Sequence, residues 1–237
     1  MTKPRSLLTA GALVFLSMGC HDSLEEGALL RLYGIYLDES GLGGTITLHS
    51  NPAGVELAGE LLLAGQQAIP LTGSYRGSTG AIVFASEDGS YEFEGGVGRY
   101  AAGTGAVPAG RANFALFVNP TLSTATYCGP ASCTVPEGCP ALGTIQVAIN
   151  GSSALLTYRV DETEAVGSGS ASPTAVNVHV GSSASTIDVT VHGDISGDTV
   201  TGTWEDGLAG ISGTWDGNAS PCATSPLRFT SASSPGA

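Results

Sequence analysis

Residues 186–192 read Thr-Ile-Asp-Val-Thr-Val-His, and the expected fold class follows from their alternation. Ile187, Val189 and Val191 occupy every second position, with polar residues between them. Successive side chains of a β-strand point to opposite faces, so this stretch predicts a strand with one apolar and one solvated face. Such a pattern is typical of antiparallel sheets, which can leave one face in water.

The same alternation recurs along the chain, for example at residues 91–94, 145–149 and 176–180. Turn-forming residues such as Asn150-Gly151-Ser152 separate the apolar runs. Strand and turn together take ~8–12 residues, and Pro and Gly interrupt the chain too often for ordinary helices. We therefore predict an all-β protein with no significant helix in the mature chain. Its antiparallel up-and-down meander curls into one barrel or into two small barrel-like units.

Two parts of the chain resemble each other. Gly44-Thr45-Ile46 and Gly143-Thr144-Ile145 lie 99 residues apart. Residues 82–97 and 187–202 share a strand–turn–strand form. These similarities predict two related β-meander units. The alternative is that Gly- and Thr-rich meanders look alike without common ancestry.

Glycines inside the strand-like stretches indicate bends or close backbone approach. They are Gly73 in LTGSY, Gly202 in VTGTW and Gly213 in ISGTW. Repeated bends help a sheet to curl and close, so the glycines favour a barrel. LTGSY and VTGTW also resemble the Gly-rich strands of avidin-like barrels, and no ligand-contacting residue is carried over from that resemblance.

The N-terminus has the form of a secretory signal. Lys3 and Arg5 precede an apolar run at 7–16, which is too short to span a membrane. Gly19-Cys20 follows. This segment resembles a bacterial lipoprotein signal, and the resemblance implies lipidation of Cys20. The protein is then expected to be exported to the cell envelope and lipid-anchored there, at the outer membrane or cell surface rather than the inner membrane. Ordinary secretory cleavage at the same bond is the alternative.

These observations predict the organisation of the whole chain. It consists of a signal peptide (1–19), a short tether (20–28), a first β-meander unit (29–122), a second, related unit with a disulfide loop (123–225), and a flexible tail (226–237).

Five cysteines support the lipidation of Cys20, because removing one leaves an even number for disulfides. Four cysteines allow three pairings. We predict Cys133–Cys139 as a local loop bond and Cys128–Cys222 as a long bond closing the second unit. A zinc site is not expected, because the cysteine spacings of four and five residues are unlike those of zinc motifs and no His is near. No metal or other cofactor is predicted.

Charge excludes some partners. The chain has 8 Lys and Arg against 21 Asp and Glu, a net charge of -13. Residues 1–19 contain two bases and no acid, so the mature chain would carry -15 and no Lys. Nucleic-acid binding is not expected, because it requires clustered basic residues. A polybasic membrane-binding segment is not expected either, which leaves the N-terminal lipid as the predicted contact with the membrane.

Candidate chemistry is sparse. The chain has no G-x-S-x-G, HExxH or P-loop motif, so no catalytic residue is predicted. His179 and His192 fall on the polar sides of strands, where solvation is expected. The carboxylates Glu205, Asp206 and Asp216 lie next to predicted turns, where they are expected to be solvated.

Trp204 and Trp215 end two similar blocks, TVTGTW and GISGTW, that are eleven residues apart. They are candidate ligand-binding residues that would form the wall of a small apolar pocket. The alternative is packing in the core or at a barrel end.

Three function classes follow from these features. The first is a non-catalytic envelope protein with a structural or interaction role. The second is a carrier that holds a small apolar ligand inside a barrel. The third is an enzyme of unrecognised type, which would bring titratable residues together in one cleft.

Overall fold

The computed structural model describes residues 29–219, apart from 138, 140–141, 162 and 182–185. The predicted signal peptide, the tether with Cys20, the tail and Cys222 lie outside the described residues. The described part contains no helix, and hence none that is long and apolar enough to cross a membrane.

Sixteen antiparallel strands form two closed eight-stranded barrels in meander order. The all-β prediction is confirmed, in its two-barrel form. The first barrel contains β1 (Arg31–Asp38), β2 (Gly43–Ser50), β3 (Glu56–Leu63), β4 (Ile69–Arg76), β5 (Ala81–Ser86), β6 (Glu92–Val97), β7 (Tyr100–Val107) and β8 (Gly110–Val118). The second contains β9 (Ala125–Val135), β10 (Leu142–Asn150), β11 (Ser153–Val160), β12 (Thr163–Ser172), β13 (Ala175–Gly181), β14 (Asp188–Ser196), β15 (Thr199–Asp206) and β16 (Ile211–Asn218).

The sequence similarities fall differently on the two barrels. The two Gly-Thr-Ile blocks lie in β2 and β10, which are the second strand of each barrel. Residues 82–97 cover the fifth and sixth strands of the first barrel, whereas 187–202 cover the sixth and seventh of the second. Only the first similarity therefore joins equivalent strands, and common ancestry of the two units stays a prediction.

Both barrel interiors are filled by apolar side chains from alternate strand positions. In β14, Val189 and Val191 are buried in the second core, while Thr190 and His192 point outwards and are exposed. The first core contains three phenylalanines, and Phe84 stacks on Phe93 with ring centroids 4.8 Å apart. An eight-stranded barrel has room for its own side chains or for one small ligand, and here the side chains occupy the interior.

Large interior aromatics stand opposite glycines of the neighbouring strand. This pairing is found at six positions: Tyr36 with Gly44, Phe84 with Gly73, Phe93 with Gly105, Phe114 with Gly103, Trp204 with Gly213 and Trp215 with Gly202. Directly opposed residues on one face of a sheet have close side chains, so a glycine on one strand leaves room for a ring on the next.

Some interior glycines also allow the backbones themselves to approach. A Cβ atom on Gly95 would lie 2.2 Å from the carbonyl oxygen of Ala102, and one on Gly103 would lie 2.0 Å from that of Glu94. Gly95 and Gly103 face each other across β6 and β7. A side chain at either position would force the two strands apart, so these glycines are required for the tight curvature of the wall.

The two barrels pack against each other through a third apolar cluster. Ile35 and Ala115 of the first barrel contact Ala148 and Leu155 of the second, and all four are at most 1% exposed. Phe117 belongs to the same cluster. These side chains point out of their own barrels, so β1, β8, β10 and β11 are buried on both faces where the barrels meet.

Hydrogen bonds cross the same interface. Buried Gln146 donates from Nε2 to the backbone oxygen of Gly44 at 2.9 Å. Asn113 donates from Nδ2 to Glu164 Oε2 at 2.8 Å, and Glu164 also pairs with Arg159 within the second barrel. A polar side chain that is buried with its partner fixes the register of a contact, because any shift would leave it unsatisfied.

Gly95 and Gly96 test whether the close approach of β6 and β7 is required. We expect Gly95→Ala to lower the free energy of unfolding by roughly 3 kcal/mol, because its Cβ would meet the β7 backbone. Gly96→Ala is the matched control, since a Cβ there meets nothing within 4 Å. It should leave stability unchanged or raise it by ~0.4–1 kcal/mol. Denaturant unfolding measures both, and equal effects would contradict the proposed role of Gly95.

Candidate functional site

The two tryptophans predicted to bind a ligand lie in neighbouring strands of the second barrel. Trp204 in β15 faces Gly213, and Trp215 in β16 faces Gly202. Both indoles are buried in the barrel core. Trp215 Nε1 donates a hydrogen bond to the backbone oxygen of His192 at 3.0 Å. The structure thus brings the pair together as core packing, and their ligand-binding role stays a prediction.

Trp204 belongs to a polar cluster inside the second barrel. Its ring meets that of Tyr158 edge to face, with centroids 5.9 Å apart. Trp204 Nε1 and the Tyr158 hydroxyl are buried without a hydrogen-bond partner among the described residues. Burial raises the pKa of Tyr158, and the nearby charges of Asp206 and Asp161 raise it further. The phenol therefore stays protonated at any physiological pH.

Asp206, at the end of β15, is buried and accepts several hydrogen bonds. Its carboxylate accepts from Thr163 Oγ1 at 2.8 Å and from the backbone amides of Leu208 and Ala209 at 3.1 and 3.0 Å. Carboxylates that bond their own following backbone in this way stabilise turns. Asp206 therefore fixes the β15–β16 turn, and its lone pairs are engaged in that structural contact.

The first barrel has a comparable buried aspartate at the end of β1. Asp38 Oδ1 accepts from the amides of Ser40 and Leu42 and from the Ser40 hydroxyl, at 2.6–3.0 Å. Tyr36 donates its hydroxyl to Asp38 Oδ2 at 3.0 Å. Burial and this carboxylate raise the pKa of Tyr36. The interior tyrosine is thus satisfied in the first barrel and unsatisfied in the second.

A groove of about 290 Å³ crosses the outside of the second barrel. It runs over β14, β15, β16 and the end of β9. Trp204 and Gly213 are among its nine lining residues, and the other seven have polar side chains. They are Thr134, Thr190, His192, Thr203, Glu205, Ser212 and Thr214. Hydroxyl, imidazole and carboxylate groups supply hydrogen-bond donors and acceptors, so the groove could hold a polar group.

The histidines of this outer face are solvated. His192 Nδ1 contacts Asn177 Oδ1, and its Nε2 lies 3.9 Å from Asp194. His179 Nδ1 lies 3.0 Å from the Thr190 hydroxyl. Roughly half of each imidazole is exposed, at 46% for His192 and 56% for His179. The alternation in β13 and β14 predicts this outward position.

A second groove lies on the outside of the first barrel, over β2, β3 and β4. It has a volume of about 580 Å³. His49, Asn51 and Glu56 are among its lining residues. Asn51 Nδ2 donates to Glu56 Oε2 at 3.1 Å, so part of the polar lining is already paired. The groove opens to solvent, and the core residue Leu57 is also among its lining residues.

The candidate carboxylates do not gather in one cleft. Glu205 faces outwards into the groove, whereas the adjacent Asp206 is buried inside the barrel. Asp88 has its pKa lowered to about 2 by hydrogen bonds from Ser86 and Ser90 in the β5–β6 turn. Among the described residues, no group of three or more His, Cys, Asp or Glu could hold a metal ion.

Three of the five cysteines, Cys128, Cys133 and Cys139, lie among the described residues. Cys133 and Cys139 form a disulfide, with Cα atoms 5.9 Å apart, as predicted. Both pack against the second core, Cys133 from the last part of β9 and Cys139 from the loop that joins β9 to β10. Cys128 is also disulfide-bonded. Its predicted partner Cys222 and the predicted lipidation site Cys20 lie outside the described residues.

Sequence reasoning missed the contact surface between the barrels and the buried polar pairs. Gln146, which bonds across that surface, lies among apolar residues in β10. The available signal was a break in alternation, because Phe114–Phe117 and Ala154–Leu156 are apolar at consecutive positions. Such runs indicate strands that are buried on both faces.

The functional conclusion rests on this geometry, because comparison with known protein families and curated proteins found no match. No protein-family model matches the chain, and no curated protein matches it either.

The two interior tyrosines give a matched test of these buried contacts. Tyr36→Phe should lower the free energy of unfolding by about 1.5–3 kcal/mol, because it removes a hydrogen bond to a buried carboxylate. Tyr158→Phe should be neutral or stabilising, because the hydroxyl it removes is buried without a partner. Urea unfolding of both variants checks this. A large loss for Tyr158→Phe would show that the second hydroxyl is satisfied after all.

Proposed function

We propose that the protein is an exported, lipid-anchored envelope protein without catalytic activity, whose two joined barrels have a structural or interaction role. The observation that carries this proposal is the filling of both barrels by their own side chains. Such interiors leave the outer surface as the part that meets other molecules.

The packed interiors favour this function over a carrier of small apolar ligands. Binding sites for such ligands are usually cavities of ~300–1,000 Å³. Here Phe84, Phe93 and Phe114 pack in the middle of the first barrel, and Trp204 and Trp215 in the second. A ligand could enter only by displacing these rings.

The buried carboxylates favour the non-catalytic role over the enzyme alternative. Asp38 and Asp206 are each 2% exposed, and both are held by their own turns. A general acid or base must reach its substrate within hydrogen-bond distance. These two groups instead stabilise the ends of strands.

The outer surface is suited to binding without chemistry. Closure of both sheets pairs every strand on both sides, which removes the exposed edges through which β-rich proteins aggregate. The apolar contact around Ile35, Ala115 and Leu155 holds the barrels together and thereby fixes their outer faces relative to each other. The two grooves open on those faces.

The proposed location rests on the N-terminal segment and on the cysteines. The Cys133–Cys139 disulfide fits an oxidising compartment outside the cytosol. The Gly19-Cys20 end of the signal-like segment supports attachment to a bacterial membrane through lipid, at the outer membrane or cell surface. The absence of Lys after residue 19 leaves that lipid as the principal anchor.

One preparation tests both the anchor and the packed interior. The full chain is expressed with a palmitate analogue, and the membrane fraction is assayed for label, with Cys20→Ser as control. The labelled protein is then examined by native mass spectrometry. We expect label on the wild type only, and a mass that corresponds to the acylated chain alone.

Two results would contradict the proposal, each in a different part. Equal labelling of wild type and Cys20→Ser, or none of either, would remove the lipid anchor. A co-purified apolar molecule at one copy per chain would replace the interaction role by the carrier role. An apolar molecule held inside the second barrel would also shift the fluorescence of Trp204 and Trp215, because both indoles lie in that interior.

A further inference from the structure

The turn between β10 and β11 holds the linker that joins the two barrels. This linker, residues 119–124, runs from the end of β8 to the start of β9. Asn150, the last residue of β10, donates from Nδ2 to the backbone oxygen of Leu122 at 2.6 Å and to Thr124 Oγ1 at 3.1 Å. Leu122 Cδ1 would lie 3.1 Å from a Cβ atom on Gly151. The second half of the linker therefore lies against the turn, hydrogen-bonded to one side-chain amide.

The residue after Asn150 sets it apart from the other asparagines of the chain. A backbone nitrogen can attack the side-chain Cγ of the asparagine that precedes it, and a side chain on the attacking residue hinders the approach. Gly151 has no side chain. The other asparagines are followed by proline, which has no N–H, or by a residue with a side chain. They are Asn51, Asn113, Asn119, Asn177 and Asn218.

The fold itself requires a glycine at this position. Asn150 and Ser153 are directly opposite in the ladder of β10 and β11, so Gly151 and Ser152 form a two-residue hairpin turn. Gly151 has a φ of +61°, in the left-handed region that glycine adopts without strain. It is exposed, and its N–H donates to no group of the described chain. The hairpin thus places an unhindered and unengaged backbone nitrogen next to the Asn150 amide.

We propose that Asn150-Gly151 is a site of self-modification, at which Asn150 converts to aspartate or isoaspartate and thereby releases the linker between the barrels. The inference does not depend on the proposed envelope role. It assigns a covalent change to the one asparagine whose side chain holds the second half of the linker.

The reaction consumes only water. The Gly151 nitrogen forms a bond to Asn150 Cγ and loses its proton to solvent, while the Cγ–Nδ2 bond breaks and Nδ2 takes up a proton and leaves as ammonia. The product is a cyclic succinimide. Water then opens the ring at one of its two carbonyls, which leaves either aspartate or isoaspartate, whose main chain runs through Cγ. One amide and one water thus give one carboxylic acid and ammonia, and nothing is oxidised or reduced.

The contacts of Asn150 with the linker control how often this reaction occurs. A side-chain amide that is held by two hydrogen bonds reaches the geometry for attack less often than a free one. Both bonds are made by Nδ2, the atom that leaves. The modification therefore follows openings of the linker from the turn.

The product cannot hold the linker as asparagine does. An ionised carboxylate only accepts hydrogen bonds, so it would face the Leu122 carbonyl oxygen where Asn150 now presents a donor. Isoaspartate in addition lengthens the main chain at the end of β10. Either product removes the bond to Leu122, and the linker is then expected to open more often.

Peptide mapping by mass spectrometry tests the site on the full chain, incubated at neutral and at mildly alkaline pH. We expect Asn150 to be modified before the other asparagines, to give both products, and to react faster at the higher pH, where the attacking nitrogen loses its proton more readily. Thr124→Val removes one of the two hydrogen bonds at nearly constant size and should speed the modification several-fold. Asn150→Gln should stay unmodified over the same period, because its longer side chain would have to close a larger ring.

Amide hydrogen exchange tests the release of the linker. Asn150→Asp reproduces one product, and Asn218→Asp is the matched control, since it adds the same charge at an exposed position of the same barrel. We expect exchange in residues 121–124 to rise about tenfold in Asn150→Asp and to be unchanged in Asn218→Asp. The β15–β16 turn, residues 207–210, should exchange equally in both variants.

The site and its consequence can each be contradicted separately. Modification of Asn150 no faster than that of Asn218 would overturn the site. Equal exchange of residues 121–124 in Asn150→Asp and Asn218→Asp would overturn the release of the linker, because the effect would then reflect added charge rather than the lost amide.

Discussion

The pairing of large aromatic side chains with glycines of the adjacent strand is the constraint on which both barrels depend. Phe93 lies opposite Gly105, and a Cβ on Gly105 would come within 2.5 Å of the phenylalanine ring. In the second barrel the arrangement is reciprocal, because Trp204 faces Gly213 while Trp215 faces Gly202. A narrow closed barrel has room for such rings where one neighbouring strand contributes no side chain beside them. Six of the 35 glycines of the chain thus serve the packing of interior rings.

The filled interiors determine where function is possible. Outward side chains of β1 and β8 are apolar at Ile35 and Ala115, and those of β10 and β11 complement them at Ala148 and Leu155, so one outer face of each barrel is used to join the two. The remaining outer faces carry hydroxyl, imidazole and carboxylate groups, which suit contacts made in water. This division between a packed inside and a polar outside supports the proposed interaction role.

Strand alternation predicted most of the fold, because in β14 it distinguishes Val189 and Val191 from the residues between them. It could not predict how many barrels form, because closure depends on register between distant strands such as β1 and β8. The sequence shows two Gly-x-Trp segments, Gly202 to Trp204 and Gly213 to Trp215. That each Trp faces the other segment's Gly depends on the register between β15 and β16, which the sequence does not show. The contact between the barrels and the orphan hydroxyl of Tyr158 depend on side chains brought together from separate strands. By contrast, the regular alternation around His192 predicts its position on the outer face of the second barrel.

A double-mutant cycle on Gly105 and Phe93 tests the central claim most directly. A Cβ on Gly105 would meet Phe93 Cδ1 at 2.5 Å and the Glu92 carbonyl oxygen at 2.8 Å, so the ring is the nearest obstacle. Free energies of unfolding are measured for Gly105→Ala, Phe93→Leu and the double variant. If the glycine serves to admit the ring, Gly105→Ala should cost at least ~1 kcal/mol less in the Phe93→Leu background than in the wild type. Equal costs in both backgrounds would contradict the claim.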